Sequence, residues 1–223
     1  MHDNKMRTEI LTIDKGQCLT DVLPAIPANT IFDKTITGCG ATHSEIVNAA
    51  RHSIIIEPNI PVILGKKAEH PFLFAVYEGI TKEDVKAYLA GEHDGYRKII
   101  TTPEGFDKKV LPAMHELEIP VYKDYFLLFD ECEKAIQDVG YRGDIYLPVE
   151  DFFKFENKAM VSATPIVPSD PRFGENGFKI LKLVPTYDSR IELTLCTTNN
   201  TVAVMRKLLK RLENETVCVF LNS

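Results

Sequence analysis

The sequence predicts an α/β protein built on an open, mostly parallel sheet flanked by helices. Short apolar runs alternate with stretches of helical periodicity, as in strands joined by crossover helices. Several runs are apolar almost without interruption, as in Ser53-Ile54-Ile55-Ile56-Glu57, Tyr125-Phe126-Leu127-Leu128-Phe129 and Val217-Cys218-Val219-Phe220-Leu221. Strands covered on both faces read this way.

In chain order, strands are expected at Glu9–Ile13, Thr30–Asp33, Ser53–Glu57, Phe72–Tyr77, Lys98–Thr101, Tyr125–Phe129, Ala159–Ser162, Lys179–Leu183, Glu192–Cys196 and Thr216–Leu221. Helices are expected at Ser44–Arg51, Lys82–Leu89, Pro103–Glu116, Glu131–Gln137 and Thr201–Glu213. The second opens on Thr81 with Asp84 three residues later, close to a capping box. Asp138–Glu150 and Pro165–Gly177 carry the glycines and prolines of loops, and the latter is the expected hinge or domain edge. The final apolar strand has no helix after it, which in this fold class reads as a truncation.

Composition sets limits. The 223 residues are 44% hydrophobic and 26% charged, enough to bury one sizeable core and begin a second. A net charge of -6 argues against a broadly basic binding surface, so any nucleic acid would need a local patch. Five widely spaced cysteines without a CxxC pair fit neither a zinc ribbon nor a disulfide framework. No signal peptide and no apolar run near the ~18 residues of a membrane span is present, so a cytoplasmic location and no membrane partner are expected.

Three short motifs bear on chemistry. Thr35-Ile36-Thr37-Gly38-Cys39-Gly40-Ala41-Thr42-His43 lies between a strand and a helix, where backbone amides can hold phosphate. It reads equally as a glycine-rich turn. Asp130-Glu131 follows an apolar strand and would sit at the ligand crevice of an open sheet. There Asp130 could hold Mg²⁺ and Glu131 could polarise a water; alternatively, Asp130 caps a helix. Ser162-Ala163-Thr164 ends another strand, where the hydroxyls could satisfy turn amides.

Taken in order, these motifs resemble those of a superfamily 2 helicase of the DEAD/DEAH-like type. Thr37–Thr42 is similar to a Walker A loop, Asp130-Glu131-Cys132-Glu133 to the DExx motif, and Ser162-Ala163-Thr164 to SAT. Ile54–Asn59 and Ile100–Glu104 resemble motifs Ia and Ib, and Val219–Ser223 resembles motif IV. The resemblance implies a RecA-like P-loop NTPase fold. It makes residues 1–185 the first RecA-like domain and 186–223 the start of a truncated second. It further implies ATP and Mg²⁺ as cofactors, single-stranded or duplex nucleic acid as partner, and the remainder of a second motor lobe in the full-length protein. Gly38, Cys39, Gly40, Ala41 and Thr42 would surround the phosphates, with Thr42 and Asp130 on Mg²⁺ and Glu131 as base. Ser162 and Thr164 would couple nucleotide state to grip, and Pro58, Asn59, Thr101 and Thr102 would line the nucleic-acid track.

The chain departs from that pattern. Ala41 stands where the family has the lysine that neutralises the β/γ-phosphates. By analogy with an oxyanion-hole donor, its loss removes roughly 2.7–4 kcal/mol of transition-state stabilisation. Lys34 or His43 could compensate; equally, Lys34 could be a solvated strand-edge residue and His43 an ordinary helix-start residue. The arginine-rich motif VI is absent, and no adenine-reading glutamine motif is evident. Two functions follow as expectations: a helicase-like ATPase domain, or a pseudo-ATPase kept as a nucleic-acid or protein binding module. A metal-dependent hydrolase using Asp130, Glu131, Glu133 and His43 is a more remote third. Phe152-Phe153-Lys154-Phe155 could stack bases but fits core packing better, and the basic run Arg206–Arg211 is by default a solvated helix face.

Overall fold

A computed structural model describes residues 6–132, 149–164, 170–189 and 197–211. The expected strands Glu192–Cys196 and Thr216–Leu221, the loop around Gly140–Asp144, Glu133 and the terminal motif at Val219–Ser223 lie outside them. The chain divides into two compact units, Met1–Asp188 and Ser189–Ser223.

The first unit carries eight strands: β1 (Thr8–Ile13), β2 (Thr30–Asp33), β3 (His52–Ile56), β4 (Phe74–Val76), β5 (Lys98–Thr101), β6 (Tyr125–Phe129), β7 (Asn157–Ser162) and β8 (Lys179–Pro185). They form one sheet in the order β1-β8-β2-β7-β6-β3-β5-β4. Every pairing is parallel. The expected α/β class is therefore what the chain adopts.

The pleat divides the core in two. Alternate side chains of a strand point to opposite faces. On β6, Tyr125, Leu127 and Phe129 join one cluster with Ile54 and Ile56 of β3, while Phe126 and Leu128 join Phe32 and Ile55 in the other. β6 is buried along its whole length, as its unbroken apolar run requires. Each large side chain removed from water contributes about 1.5–3 kcal/mol. Phe152 and Phe155 belong to the first cluster, and Phe153 packs against it. These aromatics are core, as the second of their two readings held.

The helices connecting the strands include α1 (Leu19–Val22), α2 (Ala41–Ile46), α3 (Ile60–Glu69), α4 (Lys82–Ala90) and α5 (Pro103–Gly105). From α5 the chain continues without a break through a π-helical turn, Phe106–Val110, into α6 (Leu111–Glu116). Then come α7 (Val121–Asp124), α8 (Val149–Lys154) and α9 (Pro171–Glu175). The capping box at α4 forms as expected: the Asp84 amide donates to Thr81 Oγ1 at 3.1 Å and the Thr81 amide to Asp84 Oδ2 at 2.8 Å.

Two expectations are corrected. The helix expected at Ser44–Arg51 begins earlier and ends at Ile46, because left-handed Gly40 starts it (φ 87°). The Arg51 guanidinium is instead drawn to buried Glu45, with Nη2 2.5 Å from Oε2, and stacks over Phe126. The segment Pro165–Gly177 is not a domain edge. Its described part contains α9 and leads into β8, which inserts between β1 and β2 in the same sheet.

In the second unit the described element is α10 (Thr201–Arg211), whose Val202, Leu208 and Leu209 are exposed. No helix among the described residues is long and apolar enough to cross a membrane.

Candidate phosphate-binding site

The candidate site lies at the C-terminal edge of β2, β7 and β6. β7 separates the other two, so the loop after β2 and the acids after β6 are two strand spacings apart, on the order of 10 Å. Lys34 spans that gap. Its amide continues the β2–β7 ladder, donating to the Ser162 carbonyl at 2.9 Å. The ladder bond keeps Lys34 in strand register, on the face shared by Phe32, and Asp130 likewise follows Leu128 on that face.

The Lys34 ammonium reaches Glu131 Oε1 at 2.6 Å and Asp130 Oδ1 at 3.4 Å. Thr42 Oγ1 donates to the other carboxylate oxygen of Asp130. Four residues from three segments thus form one polar cluster. Lys34 is only 8% exposed and Asp130 2%. Burial works against the ammonium, but Asp130 and Glu131 outweigh it and hold the lysine above its ordinary pKa. The reading of Lys34 as a solvated strand-edge residue is therefore wrong: the strand ends against an acid pair, and the side chain turns inward.

The backbone around this cluster is unusual. Thr35 and Glu131 both adopt left-handed conformations (φ 41° and 49°), which L-residues with side chains rarely do. Such outliers concentrate where surrounding structure over-determines them. At Glu131 the turn ends β6, and the Glu131 amide donates to Asp130 Oδ1 at 3.0 Å. Gly38 and Gly40 are also left-handed, at φ 74° and 87°. A Cβ built on either meets nothing within 4 Å, so the loop borders open space there. Cys39 is buried, its carbonyl accepts the Leu19 amide at 2.8 Å, and burial pushes its thiol pKa up. Ala41 packs into the core cluster of Phe32 and Leu128.

The other expected site residues fall on the same edge. Ser162 is buried, and its hydroxyl accepts the Thr164 amide at 2.9 Å, the turn-satisfying role open to it. Thr164 is exposed. Pro58 and Asn59 follow β3; Thr101 ends β5, its neighbour, and Thr102 comes directly after it. Thr101 is fully buried and directs its hydroxyl to the Thr102 carbonyl at 3.1 Å. Thr102 caps α5, accepting the Gly105 amide at 3.0 Å. Pro58, Asn59 and Thr102 are half-buried, Thr101 inaccessible. His43 pairs with His70, Nδ1 to Nε2 at 3.2 Å.

Sequence reasoning placed Glu57 within the stretch resembling motif Ia but gave it no role. It ends β3 beside β6, is 2% exposed, and accepts both the amide and the side-chain Nδ2 of Asn59 at 2.8 Å. Burial, with the charges of Asp130 and Glu131 nearby, pushes its carboxyl up to about 7, against the bonds from Asn59. A glutamate closing an apolar strand was the available signal.

The donor set bears on a nucleotide and its metal. The carboxylate of Asp130 and the hydroxyl of Thr42 are hard oxygen ligands of the kind Mg²⁺ takes. The open side of Gly38 and Gly40 leaves room for a ligand against the loop, and Lys34 supplies positive charge beside it. These residues fit a nucleoside triphosphate. Among the described residues no cluster of three or more His, Cys, Asp or Glu suited to a metal occurs.

No family model matches the sequence, and no curated protein matches it. Among solved structures it is similar to the crystal structure of the Pyrococcus furiosus Hef helicase domain, at 13% identity and a TM-score of 0.43. The match covers 82% of this chain and 35% of that one, so the chain spans about a third of that structure's length.

Proposed function

We infer that the chain is a helicase-like P-loop ATPase domain that binds ATP, with Mg²⁺, on the loop after β2. The observation that carries this reading is Lys34. The family's lysine position holds Ala41, yet an ammonium sits beside the acid pair from the strand side of the loop. Gly38 to Thr42 would surround the phosphates and Lys34 would face them. Thr42 and Asp130 would hold the metal, which supplies Lewis-acid polarisation of the phosphoryl oxygens. Glu131 would accept the proton of the attacking water. Ser162 would serve the coupling indirectly, because its carbonyl positions the Lys34 backbone. Pro58, Asn59 and Thr102 are the track residues left accessible for nucleic acid, which the motif resemblance alone supports.

The pseudo-ATPase alternative has an observation of its own. Glu131 Oε1 accepts a hydrogen bond from the Lys34 ammonium at 2.6 Å, and an adjacent positive charge favours the carboxylate over the acid that taking a proton from water would create. A site that holds its base this way binds more readily than it turns over. ATP turnover of the 223-residue chain, with and without single-stranded nucleic acid and beside Glu131→Gln, separates the two readings. Turnover abolished by Glu131→Gln supports the ATPase. ATP binding without turnover supports the binding module. Turnover unaffected by Glu131→Gln removes Glu131 from its role.

A further inference from the structure

α2 and α3 each turn one histidine toward the other. His43 lies on α2, directly after Thr42, and its carbonyl accepts the Val47 amide at 3.0 Å. His70 caps the C-terminal end of α3. Its amide donates to the Lys66 carbonyl at 2.9 Å, and its carbonyl accepts the Leu73 amide at 2.9 Å. Both side chains are half-buried and extend from backbone that these bonds hold in place. Nδ1 of His43 faces Nε2 of His70 at 3.2 Å, with the ring centres 5.1 Å apart and the planes tilted by 41°. A straight N–H···N bond of that length would put the ring centres about 5.5 Å apart. Two imidazoles on one tetrahedral ion, each nitrogen about 2.0–2.1 Å from it, have nitrogens about 3.3 Å apart and centres about 5.2 Å apart. The pair fits the second geometry. Among the described residues neither outer ring nitrogen, His43 Nε2 or His70 Nδ1, has a hydrogen-bond partner. Each can carry its ring's proton and leave the inner nitrogen bare for a metal.

We propose that His43 and His70 are two ligands of a transition-metal site, which takes a borderline ion such as Zn²⁺ and ties α2 to the end of α3. Imidazole nitrogen suits Zn, Cu and Ni, whereas the Mg²⁺ read onto Asp130 and Thr42 takes oxygen. Burial, then the neighbouring His43, holds His70 below its ordinary pKa, so at neutral pH its ring is in the neutral, ligating form. Glu69 pulls the other way and Lys66 does not; those two pair with each other at 2.8 Å. The carbonyl end of α3 carries partial negative charge, which favours a cation beside it. Among the described residues no further His, Cys, Asp or Glu makes the pair a set of three. Two protein ligands leave the other positions of a tetrahedral ion to water, which makes the site open and exchangeable rather than a closed structural one. α2 starts at the candidate phosphate loop, so the ion joins the helix that follows the loop to α3.

The test is titration of Zn²⁺ into the metal-stripped 223-residue chain without nucleotide, followed by the histidine ring nitrogens in long-range ¹H–¹⁵N spectra. Binding should shift Nδ1 of His43 and Nε2 of His70 together, both saturating at one ion per chain. His43→Ala and His70→Ala, read by calorimetry, should each weaken binding at least about 10-fold, the least that losing even a group behind a ligand costs. Lowering the pH below the ordinary imidazole value of about 6.5 should release the ion, because both rings must be unprotonated to bind. Rings left unshifted by excess Zn²⁺ overturn the proposal. Movement of one ring without the other overturns it too, as does Zn²⁺ affinity unchanged in both variants. The wild-type spectra need no variant, so a fold weakened by either substitution does not blunt the test. Nucleotide is absent throughout, so the nucleotide reading stands or falls separately.

Discussion

The ammonium of Lys34 lies 2.6 Å from the carboxylate of Glu131, 97 residues further along the chain. That contact ties the loop after β2 to the acids after β6 across an intervening strand. It places an ammonium at the acid pair, on the strand side of a loop whose position 41 is alanine.

Lys34→Met should lower stability by about 3 kcal/mol. Removing the ammonium takes its lysine partner from buried Asp130, and breaking a buried ion pair commonly costs about 3–5 kcal/mol. The partial exposure of Glu131, 22% for its side chain, places the expectation at the lower end. Urea denaturation read by circular dichroism measures it. A loss below about 0.5 kcal/mol, ordinary for a surface substitution, would mean the pair contributes little.

Glu57 should make stability fall as pH rises. Its carboxyl is pushed up to about 7 in the folded chain from an ordinary value of 4.5. The folded state therefore binds the proton more tightly than the unfolded one. The stabilisation is complete below about 4.5 and is lost as pH rises through about 7. The shift corresponds to about 3 kcal/mol. Glu57→Gln, which keeps the acceptor for Asn59, should flatten the stability profile between those limits in metal-free buffer. An unchanged slope would show that Glu57 is ionised throughout.

Gly105→Ala should cost about 1–3 kcal/mol, the usual penalty of overpacking. A Cβ there would sit 2.5 Å from Thr101 Oγ1 and 3.1 Å from Thr102 Oγ1, the residues that lead into α5. Thr102→Ala, which removes the cap on Gly105, should cost about 1 kcal/mol. Thermal denaturation of both variants checks the order, Gly105→Ala being the less stable.

Glu45→Ala should destabilise strongly without touching the site. Glu45 is fully buried on α2 and holds Arg51 at 2.5 Å, Ser53 at 2.5 Å and Lys98 at 3.6 Å. Its removal takes the carboxylate from the buried Lys98 ammonium and the partly exposed Arg51 guanidinium, at about 3 kcal/mol, the low end for breaking a buried pair. Burial has already pushed Lys98 down to about 8, so part of its charge can be shed by deprotonation. Chemical denaturation near neutral and near pH 9 should therefore show a smaller loss at the higher pH. An equal loss at both would mean Lys98 does not titrate there.

How much of this was legible depended on the kind of signal. The strands were readable because β3, β6 and most of β7 are apolar on both faces, and two-sided burial leaves no alternation to misread. α3 was not foreseen. Its opening Ile60-Pro61-Val62-Ile63-Leu64 reads as β-branched and apolar, although proline in a first turn is itself a helix-start signal. The Pro165–Gly177 segment looked like a domain edge because its prolines and glycines mark turns, but only pairing shows that β8 returns to lie between β1 and β2. The acid pair and the loop were readable as motifs. The direction of Lys34 was not, since it depends on a ladder bond to Ser162, more than a hundred residues away. The raised carboxyl of Glu57 was hidden for the same reason: its burial comes from the β3–β6 neighbourhood, which local sequence does not encode.

The central claim, that the loop after β2 with Lys34 and the acid pair holds nucleotide phosphates, is tested most directly by amide hydrogen exchange with and without ATP. The account predicts slowed exchange on ATP addition confined to Ile36–Thr42 and the turn at Asp130–Cys132, and its loss in Lys34→Met. Exchange in those segments that ATP leaves unchanged at saturating concentration would contradict it.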